Sequence, residues 1–329
     1  MPLSFPPCPR LLVCDLDGTL LTGDGVLTEA TADALRQAIA AGIEVVFATG
    51  RRSSFAWKVL ASLDLHPATV LISSNGAITR TFAGDPIHCM AMPVATALTL
   101  CRQFVPYRDS LIFTFDRSGP GALVVEDIEA LHRHIPRWVE SNRHEIECVL
   151  PLERAFERGE EPVQAMICGT PPAMKDAIAF LEAATPESMY LRHSISLNRT
   201  EYAARDLSIV DLMPGGCSKG HAIARLAALR GFQAAEIVAI GDNMNDVDML
   251  AYAGCGVVMK NAPKELLAMA SRNAWIVTGS NEEDGAAQAI LRMLEEAQPS
   301  RSGRIPHLGH GDGPARAVGP ALADRDIGS

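Results

Sequence analysis

Residues 11–20 have the sequence LLVCDLDGTL, in which an apolar run is followed at once by two aspartates and a glycine. The run at 11–14 predicts a short buried β-strand. Asp15 and Asp17 come directly after it, and Gly18 can turn the chain so that both carboxylates point into one cleft. Ligands of an open α/β sheet bind beyond the carboxyl ends of its strands. The stretch therefore predicts a functional site, with an ordinary acidic turn as the alternative.

Strand and helix patterns alternate on both sides of this stretch. Strand patterns at 43–48 and 69–72 follow helical patterns at 28–41 and 54–63. The same alternation returns after about residue 207 and ends in a helical pattern at 284–296. Such alternation predicts an α/β fold with a Rossmann-like, doubly wound parallel sheet.

The middle of the chain lacks this regular alternation. A chain of 329 residues predicts about two domains. Residues 82–206 combine shorter strand patterns with helices and many turn signals, so we predict an inserted α+β domain there and a core built from 1–81 and 207–298. Residues 299–329 contain six glycines and four prolines with few large apolar residues, which predicts a disordered tail.

Composition and charge limit the classes of partner. Apolar residues make up 48% and charged residues 21%, as in ordinary globular proteins. With 39 acidic and 29 basic residues the net charge is −10, which argues against nucleic acid and anionic membranes as partners but is compatible with a single phosphate site. No run of 18 apolar residues predicts a transmembrane helix. The eight cysteines form no CxxC pair, so we expect reduced thiols in a cytoplasmic protein.

Further polar clusters follow other predicted strands. ATGR at 48–51 and SSNG at 73–76 offer hydroxyl, backbone N–H and guanidinium groups that can donate to a phosphate. SKG at 218–220 opens a predicted helix, where Lys219 adds positive charge to a positive helix terminus and is unfavourable unless an anion is near. Taken singly, an exposed arginine at 51 and a solvated lysine at 219 are the alternative explanations of these clusters.

The fourth cluster is GDNMNDVDML at 241–250, after a strand predicted at 237–240. Five oxygen-bearing side chains fall within seven residues: Asp242, Asn243, Asn245, Asp246 and Asp248. Helix capping explains one or two of them, whereas their number favours a site for a hard cation such as Mg²⁺. Because all four clusters fall at strand ends or helix starts of one sheet, folding gathers them along one edge. Carboxylates, Mg²⁺ and Lys219 together suit phosphoryl transfer.

The motifs DLDGTL, ATGR, SKG and GDNMND together resemble the four motifs of the haloacid dehalogenase-like hydrolases. More narrowly they resemble the Cof-type phosphatases, in which a large α/β cap is inserted between the second and third motifs. The stretches at 256–270 and 277–290 also resemble the C-terminal pattern of that family. The resemblance covers 11–81 and 207–294, and it implies a phosphoric monoester hydrolase whose inserted domain is the cap.

The resemblance also implies roles for single residues. Asp15 would be the nucleophile that forms an aspartyl-phosphate, and Asp17 the general acid and base. Thr49 would hydrogen-bond the phosphate, and Lys219 would stabilise its charge. Six further positions would bind substrate in the cleft: Gly50, Arg51, Asn75, Gly76, Asn245 and Asn261.

The same resemblance implies a metal site. Asp15, the backbone carbonyl of Asp17 and Asp242 would hold Mg²⁺, and Asp246 would lie behind them or bind the ion through water. We therefore expect a Mg²⁺-dependent phosphatase of small phosphorylated metabolites, either sugar phosphates or phosphorylated cofactors, over which the cap closes. A phosphomutase acting on a hexose phosphate is the alternative, and a non-catalytic metabolite-binding protein is a third. The sequence leaves the substrate and the oligomeric state open.

Overall fold

The computed structural model describes residues 4–181, 185–202 and 206–297, all of which belong to one compact unit. The predicted tail at 299–329 lies outside the described residues. In chain order the strands are β1 (Leu11–Cys14), β2 (Glu44–Ala48), β3 (Val70–Ser73), β4 (Ile78–Thr81), β5 (Pro86–Cys89), β6 (Ile112–Thr114), β7 (Leu123–Val125), β8 (Ile146–Cys148), β9 (Gln164–Gly169), β10 (Ile195–Tyr202), β11 (Leu207–Pro214), β12 (Ile237–Gly241), β13 (Cys255–Val258) and β14 (Ile276–Val277).

The α-helices lie between and after these strands. They are α1 (Glu29–Ala40), α2 (Ser53–Leu60), α3 (Val94–Gln103), α4 (Ile128–His134), α5 (Pro136–Asn142), α6 (Pro171–Leu181), α7 (Pro186–Ser194), α8 (Lys219–Arg230), α9 (Val247–Tyr252), α10 (Lys264–Asn273) and α11 (Gly285–Ala297). None of the helices in the described part of the chain combines the length and the apolar character needed to cross a bilayer.

The first sheet has the strand order β14-β13-β12-β1-β2-β3-β4-β5. β1 pairs in parallel with both β2 and β12, and the chain moves outward from β1 in both directions. The strand order therefore reverses between β1 and β12, as the prediction of a doubly wound sheet requires. The strands β3, β4 and β5 pair antiparallel at one edge of this otherwise parallel sheet. The turn between β3 and β4 is too short for a crossover that would keep them parallel.

Alternation along β1 explains why this sheet is buried on both faces. Leu12 and Cys14 pack with apolar residues of α1, α2 and α11, whereas Leu11 and Val13 pack with α8, α9 and α10. Strands covered by helices on both faces are apolar at every position, as the run at 11–14 is. α1 begins after Thr28, whose hydroxyl accepts a hydrogen bond from the Thr31 N–H at 3.2 Å.

The second sheet has the strand order β10-β11-β9-β6-β7-β8 and is antiparallel except for the pair β7–β8. One face packs against α3, α6 and α7, and part of the other packs against α4 and α5. On β9 and β11 the alternation places Gln164 and Asp211 on this second face, beyond the apolar cluster that α4 and α5 cover.

Six apolar residues join the two sheets: Ala77, Ile78, Met90, Val163, Met213 and Cys217. The chain leaves the first sheet after β5 and leaves the second after β11. Limits for an inserted domain drawn from the sheets would thus fall near residues 90 and 214, instead of the predicted 82 and 206. The division into a core and an inserted cap stays a prediction.

Candidate active site

Three buried carboxylates meet where the first sheet reverses its strand order. Asp15 follows β1 and Asp242 follows β12, so two adjacent parallel strands bring these residues to the same sheet edge. The backbone N–H of Asp15 donates to the Ile240 carbonyl at 3.0 Å, which fixes the register at this point. Asp15, Asp242 and Asp246 each offer one carboxylate oxygen, and these oxygens lie within 4.8 Å of one another. We call these three residues and Lys219 the acidic cluster.

Lys219 is the counter-charge of the acidic cluster. Its side chain is fully buried, and its Nζ lies 2.5 Å from Asp15 Oδ1 and 2.6 Å from Asp246 Oδ1. The position is set by the start of α8, where the hydroxyl of Ser218 caps the helix by accepting from the His221 N–H at 3.2 Å. Although burial alone would lower it, Asp15 and Asp246 raise the pKa of Lys219 above its ordinary value.

Negative charge is in excess in the acidic cluster, because three carboxylates face one ammonium. Burial raises the pKa of Asp15 to about 7 in spite of Lys219, and Asp246 and Asp17 add to the rise. Burial, with Asp15 and Asp246 nearby, also raises the pKa of Asp242 well above its ordinary value. Oxygen ligands around uncompensated negative charge suit a hard divalent cation. The donor set therefore fits the metal that the sequence predicts.

Asp246 already has hydrogen-bond partners on both carboxylate oxygens. Its Oδ1 accepts from the Lys219 ammonium, and its Oδ2 accepts from the backbone N–H groups of Asp242 at 3.0 Å and Asn243 at 2.9 Å. It thereby holds both the ammonium and the loop that carries Asp242. These contacts agree with the predicted position of Asp246 behind the metal ligands, which stays a prediction.

The loop after β1 approaches Asp242 closely. Gly18 has a left-handed φ of +80°, and a Cβ added there would overlap the Asp242 carboxylate. The adjacent Thr19 is buried, and its hydroxyl donates to Asp242 Oδ1 at 3.0 Å. Thr19 is a site residue that the sequence analysis missed. Only its place in the DLDGT motif could have indicated it.

Asp17 and Arg51 form an ion pair at the partly exposed side of the site. Arg51 donates to the Asp17 carboxylate through both Nε and Nη2, and its guanidinium carbon lies 3.7 Å from the centre of the Phe55 ring. Arg51 was predicted to bind substrate, and here it contacts the predicted general acid. Its backbone N–H donates to the buried Thr49 hydroxyl at 3.1 Å, so Thr49 and Arg51 share one turn.

Asn75 and Asn245 are brought together as a pair. Asn245 Nδ2 donates to Asn75 Oδ1 at 3.0 Å, and Asn75 Nδ2 donates in turn to Asp211 Oδ2 at 3.0 Å. Asn75 is also tied to the second motif, because its backbone N–H donates to the Thr49 carbonyl at 3.0 Å. Asp211 belongs to β11 of the second sheet, and no motif in the sequence pointed to it.

The remaining predicted substrate-binding residues make contacts within the protein. Gly76 has a φ of +102°, and a Cβ added there would overlap the Ser218 carbonyl at the start of α8. Gly50 packs closely on the amide of Asn75. Asn261 donates to the Gly18 carbonyl at 2.8 Å and accepts from the Asn281 N–H at 3.0 Å, so it supports the first motif from behind. Their predicted contacts with substrate stay predictions.

These observations define an α/β protein with a buried acidic cluster at the point where the strand order of its sheet reverses. The model of the haloacid dehalogenase-like hydrolases matches residues 12–290. The chain belongs to this family, whose four motifs its sequence resembles.

Relatives and solved structures agree with this family. A putative phosphatase of Haemophilus influenzae is 30% identical over 288 residues, covering 85% of this chain and 95% of the relative. The 5-amino-6-(5-phospho-D-ribitylamino)uracil phosphatase of Bacillus subtilis is 28% identical over 305 residues, covering 87% and 98%. A haloacid dehalogenase-like hydrolase of Bacteroides thetaiotaomicron has the same fold, with a TM-score of 0.69 at 23% identity over 87% of this chain and 99% of that one. The predictions of the fold class, of the Cof-type family and of a phosphoric monoester hydrolase are confirmed.

Proposed function

We propose that this protein is a Mg²⁺-dependent phosphatase of small phosphorylated metabolites that acts through an aspartyl-phosphate on Asp15. The observation that carries the proposal is the acidic cluster itself. Asp15 is buried at a strand end with Lys219 bonded to one oxygen, an arrangement that orients a carboxylate nucleophile and offers positive charge to an incoming phosphate. The excess of carboxylates supports a divalent cation as a further component.

In the proposed reaction the phosphoryl group is transferred to Asp15 and is then released by water. A carboxylate oxygen of Asp15 forms a bond to phosphorus while the bond from phosphorus to the leaving oxygen breaks, and Asp17 gives that oxygen a proton. Asp17 then takes a proton from water, whose oxygen attacks phosphorus and releases inorganic phosphate from Asp15. In the structure both oxygens of Asp17 accept from Arg51, so this ion pair has to open before Asp17 can carry and give a proton. Lys219 and the hydroxyl of Thr49 balance charge on the phosphoryl oxygens.

Asp15, Asp242 and the backbone carbonyl of Asp17 would hold Mg²⁺, with Asp246 behind them. The ion, when bound, neutralises the excess of carboxylate charge and stabilises the charge of the transferring phosphoryl group.

The substrate is proposed to be a small phosphorylated metabolite. The second sheet packs against the first through an apolar cluster close to the site, and ion pairs between Arg52 and Glu145 and between Arg80 and Asp116 join the two regions. A cap in this position favours small substrates over macromolecules. The Bacillus relative, whose name states a phosphorylated ribityl compound as substrate, supports the same class.

The test is release of inorganic phosphate from a panel of sugar phosphates and phosphorylated cofactors, with Mg²⁺ and with EDTA. We expect Asp15→Asn to lower turnover of the best substrate by about a thousandfold or more while the protein stays folded. Full turnover in this variant would contradict the nucleophile, and turnover unchanged by EDTA would contradict the metal. Transfer of phosphate to another hydroxyl, without release, would identify a mutase.

A further inference from the structure

A line of hydrogen bonds runs from the second sheet into the active site of the first. Gln164 Nε2 donates to Asp211 Oδ1 at 2.6 Å, and Asp211 Oδ2 accepts from Asn75 Nδ2 at 3.0 Å. Asn75 Oδ1 accepts from Asn245 Nδ2 at 3.0 Å. We call these four residues the amide network. It joins β9 and β11 to the turn after β3 and to the loop between Asp242 and Asp246.

The carboxylate of Asp211 fixes the direction of these hydrogen bonds. An ionised carboxylate only accepts, so Asn75 must present Nδ2 to it. The Oδ1 of Asn75 then faces Asn245, which must present its own Nδ2 in return. The Oδ1 of Asn245 is thereby left on the side of its amide away from Asn75. An amide group can otherwise turn by 180°. Here Asp211, acting through Asn75, determines the orientation of the Asn245 amide.

The network has little freedom to rearrange. Asn75 is 1% exposed, Gln164 6% and Asp211 9%. Asn75 has a left-handed φ of 51°, which its backbone hydrogen bond to Thr49 helps to hold. Asp211 lies on a strand paired on both sides, opposite Met166 of β9. Backbone structure and burial therefore fix where the Asn75 side chain points, and Asp211 fixes which way its amide is turned.

A carboxylate at position 211 is costly for stability. The positions two residues away on the same strand face hold Ile209 and Met213, which are apolar. An apolar side chain at 211 would avoid the desolvation that the carboxylate suffers. Burial raises the pKa of Asp211 to about 6 in spite of the donors Gln164 and Asn75. Packing alone therefore does not explain why a carboxylate stands at position 211.

Resting on the proposed phosphatase function, we propose that Asp211 is a positioning residue, which fixes through Asn75 the end of the Asn245 amide that is presented beside the acidic cluster. Asn245 shares its short helical turn with Asp246, next to the proposed metal and phosphate site. Because Asp211 belongs to the second sheet, the position of that sheet against the first controls the orientation of the Asn245 side chain in the active site.

The first test measures hydrolysis of p-nitrophenyl phosphate with Mg²⁺ at pH 7.5. We expect Asp211→Leu to lower kcat/KM about tenfold or more, mainly through kcat, because the Asn245 amide beside the acidic cluster loses its fixed orientation. An unchanged kcat/KM in a folded Asp211→Leu protein would overturn the proposal.

A double exchange tests the direction of the hydrogen bonds. In Asp211→Asn/Gln164→Glu the new amide at 211 donates to the carboxylate at 164 and still accepts from Asn75, so we expect kcat/KM within threefold of wild type. A double variant as impaired as Asp211→Leu would refute the directional argument.

A double-mutant cycle tests whether Asp211 acts through Asn245. In an Asn245→Ala background, Asp211→Leu should change kcat/KM by less than twofold, since its target is gone. Losses that multiply would show that the two residues act separately and would overturn the proposal.

The proposal and the proposed function fail in different ways. Absence of Mg²⁺-dependent hydrolysis of phosphate esters by the wild type would overturn the function alone. The network is then followed by NMR of ¹⁵N-labelled protein, through the side-chain NH₂ resonances of Asn245. These resonances should shift in Asp211→Leu and return in the double exchange. Identical resonances in wild type and Asp211→Leu would overturn the positioning role.

Discussion

The acidic cluster and the amide network hold buried polar groups together in opposite ways. In the acidic cluster three carboxylates face one ammonium, and the pKa values of Asp15 and Asp242 are raised by burial and by their acidic neighbours. In the amide network one carboxylate accepts from two amides, and its own pKa rises less far, to about 6. The acidic cluster has an excess of carboxylates that the proposed cation would balance, whereas the amide network has its hydrogen-bond directions set by groups of the protein.

This difference separates two kinds of contribution to a site. A cluster with unbalanced charge costs stability until a ligand binds, so substitutions in it should have large effects on stability that depend on the ligand. A network whose polar groups are all hydrogen-bonded orients side chains at a smaller cost in stability. Substitutions in it should therefore have smaller effects, which depend on the direction of its hydrogen bonds. Substitutions and ligands that act on one region and spare the other test this division.

The largest effect is expected from Lys219→Met. Removal of the ammonium bonded to Asp15 and Asp246 leaves buried carboxylates unpaired, and we expect the free energy of unfolding in urea to fall by about 3–5 kcal/mol. Lys260→Met is the control, since Lys260 is exposed in its pair with Glu283. A loss below 1 kcal/mol at Lys219, or an equal loss at Lys260, would contradict the account of the acidic cluster.

The next effect is expected from Gly76→Ala, which acts on the support that both regions share. Gly76 follows Asn75 of the amide network and contacts the start of the helix that carries Lys219. Overlap with the Ser218 carbonyl adds to the cost of a left-handed alanine, so we expect a loss of roughly 2–4 kcal/mol. Gly84→Ala is a matched control with a similar φ of +98° and open space, for which about 1 kcal/mol is expected. Equal losses would show that the close contact does not matter.

Magnesium should distinguish the two regions directly. At a Mg²⁺ concentration of 100 times the dissociation constant, the folded protein should gain about 2.7 kcal/mol, seen as a rise in Tm. Asp242→Asn should lose this rise, because it removes a proposed ligand. Asp211→Asn should keep it, since Asp211 lies outside the acidic cluster. A rise in Tm that survives in Asp242→Asn would place the cation elsewhere.

The contrast also explains what the sequence could predict. Asp15, Lys219 and Asp242 each fall at the end or start of an element with a strong apolar pattern, so local sequence places them at one sheet edge. The helix after Thr28 and the strands around β1 were predicted to within a residue or two for the same reason. The roles taken from the family resemblance, including those of Asp17 and Thr49, stay predictions.

The amide network could not be predicted, because it depends on strand register. Gln164 and Asp211 are polar residues in mostly apolar strands, separated by 47 positions, and the pairing of β9 with β11 brings them together. β10 has no apolar strand pattern either, since its sequence ISLNRTEY is largely polar, and the strand is held at the edge of the sheet by backbone pairing with β11. Such contacts are set by tertiary structure and have no local signal.

The smallest effect is a dependence of stability on pH that belongs to Asp211. Its folded pKa of about 6 lies above the ordinary value of 3.8, because burial outweighs the hydrogen bonds from Gln164 and Asn75 and the attraction of Lys219. Between these pKa values the folded state binds more protons than the unfolded state, so this contribution to stability is present at low pH and is lost as pH rises through 6.

The difference in free energy of unfolding between wild type and Asp211→Asn isolates this contribution, since the acidic cluster titrates in both proteins. We expect wild type to lose about 2 kcal/mol relative to the variant between pH 4.5 and pH 7. Urea unfolding at intervals of half a pH unit measures this loss. A difference that stays constant would mean that Asp211 titrates as an exposed carboxylate does, and the amide network would then lack the desolvated acceptor from which its direction follows.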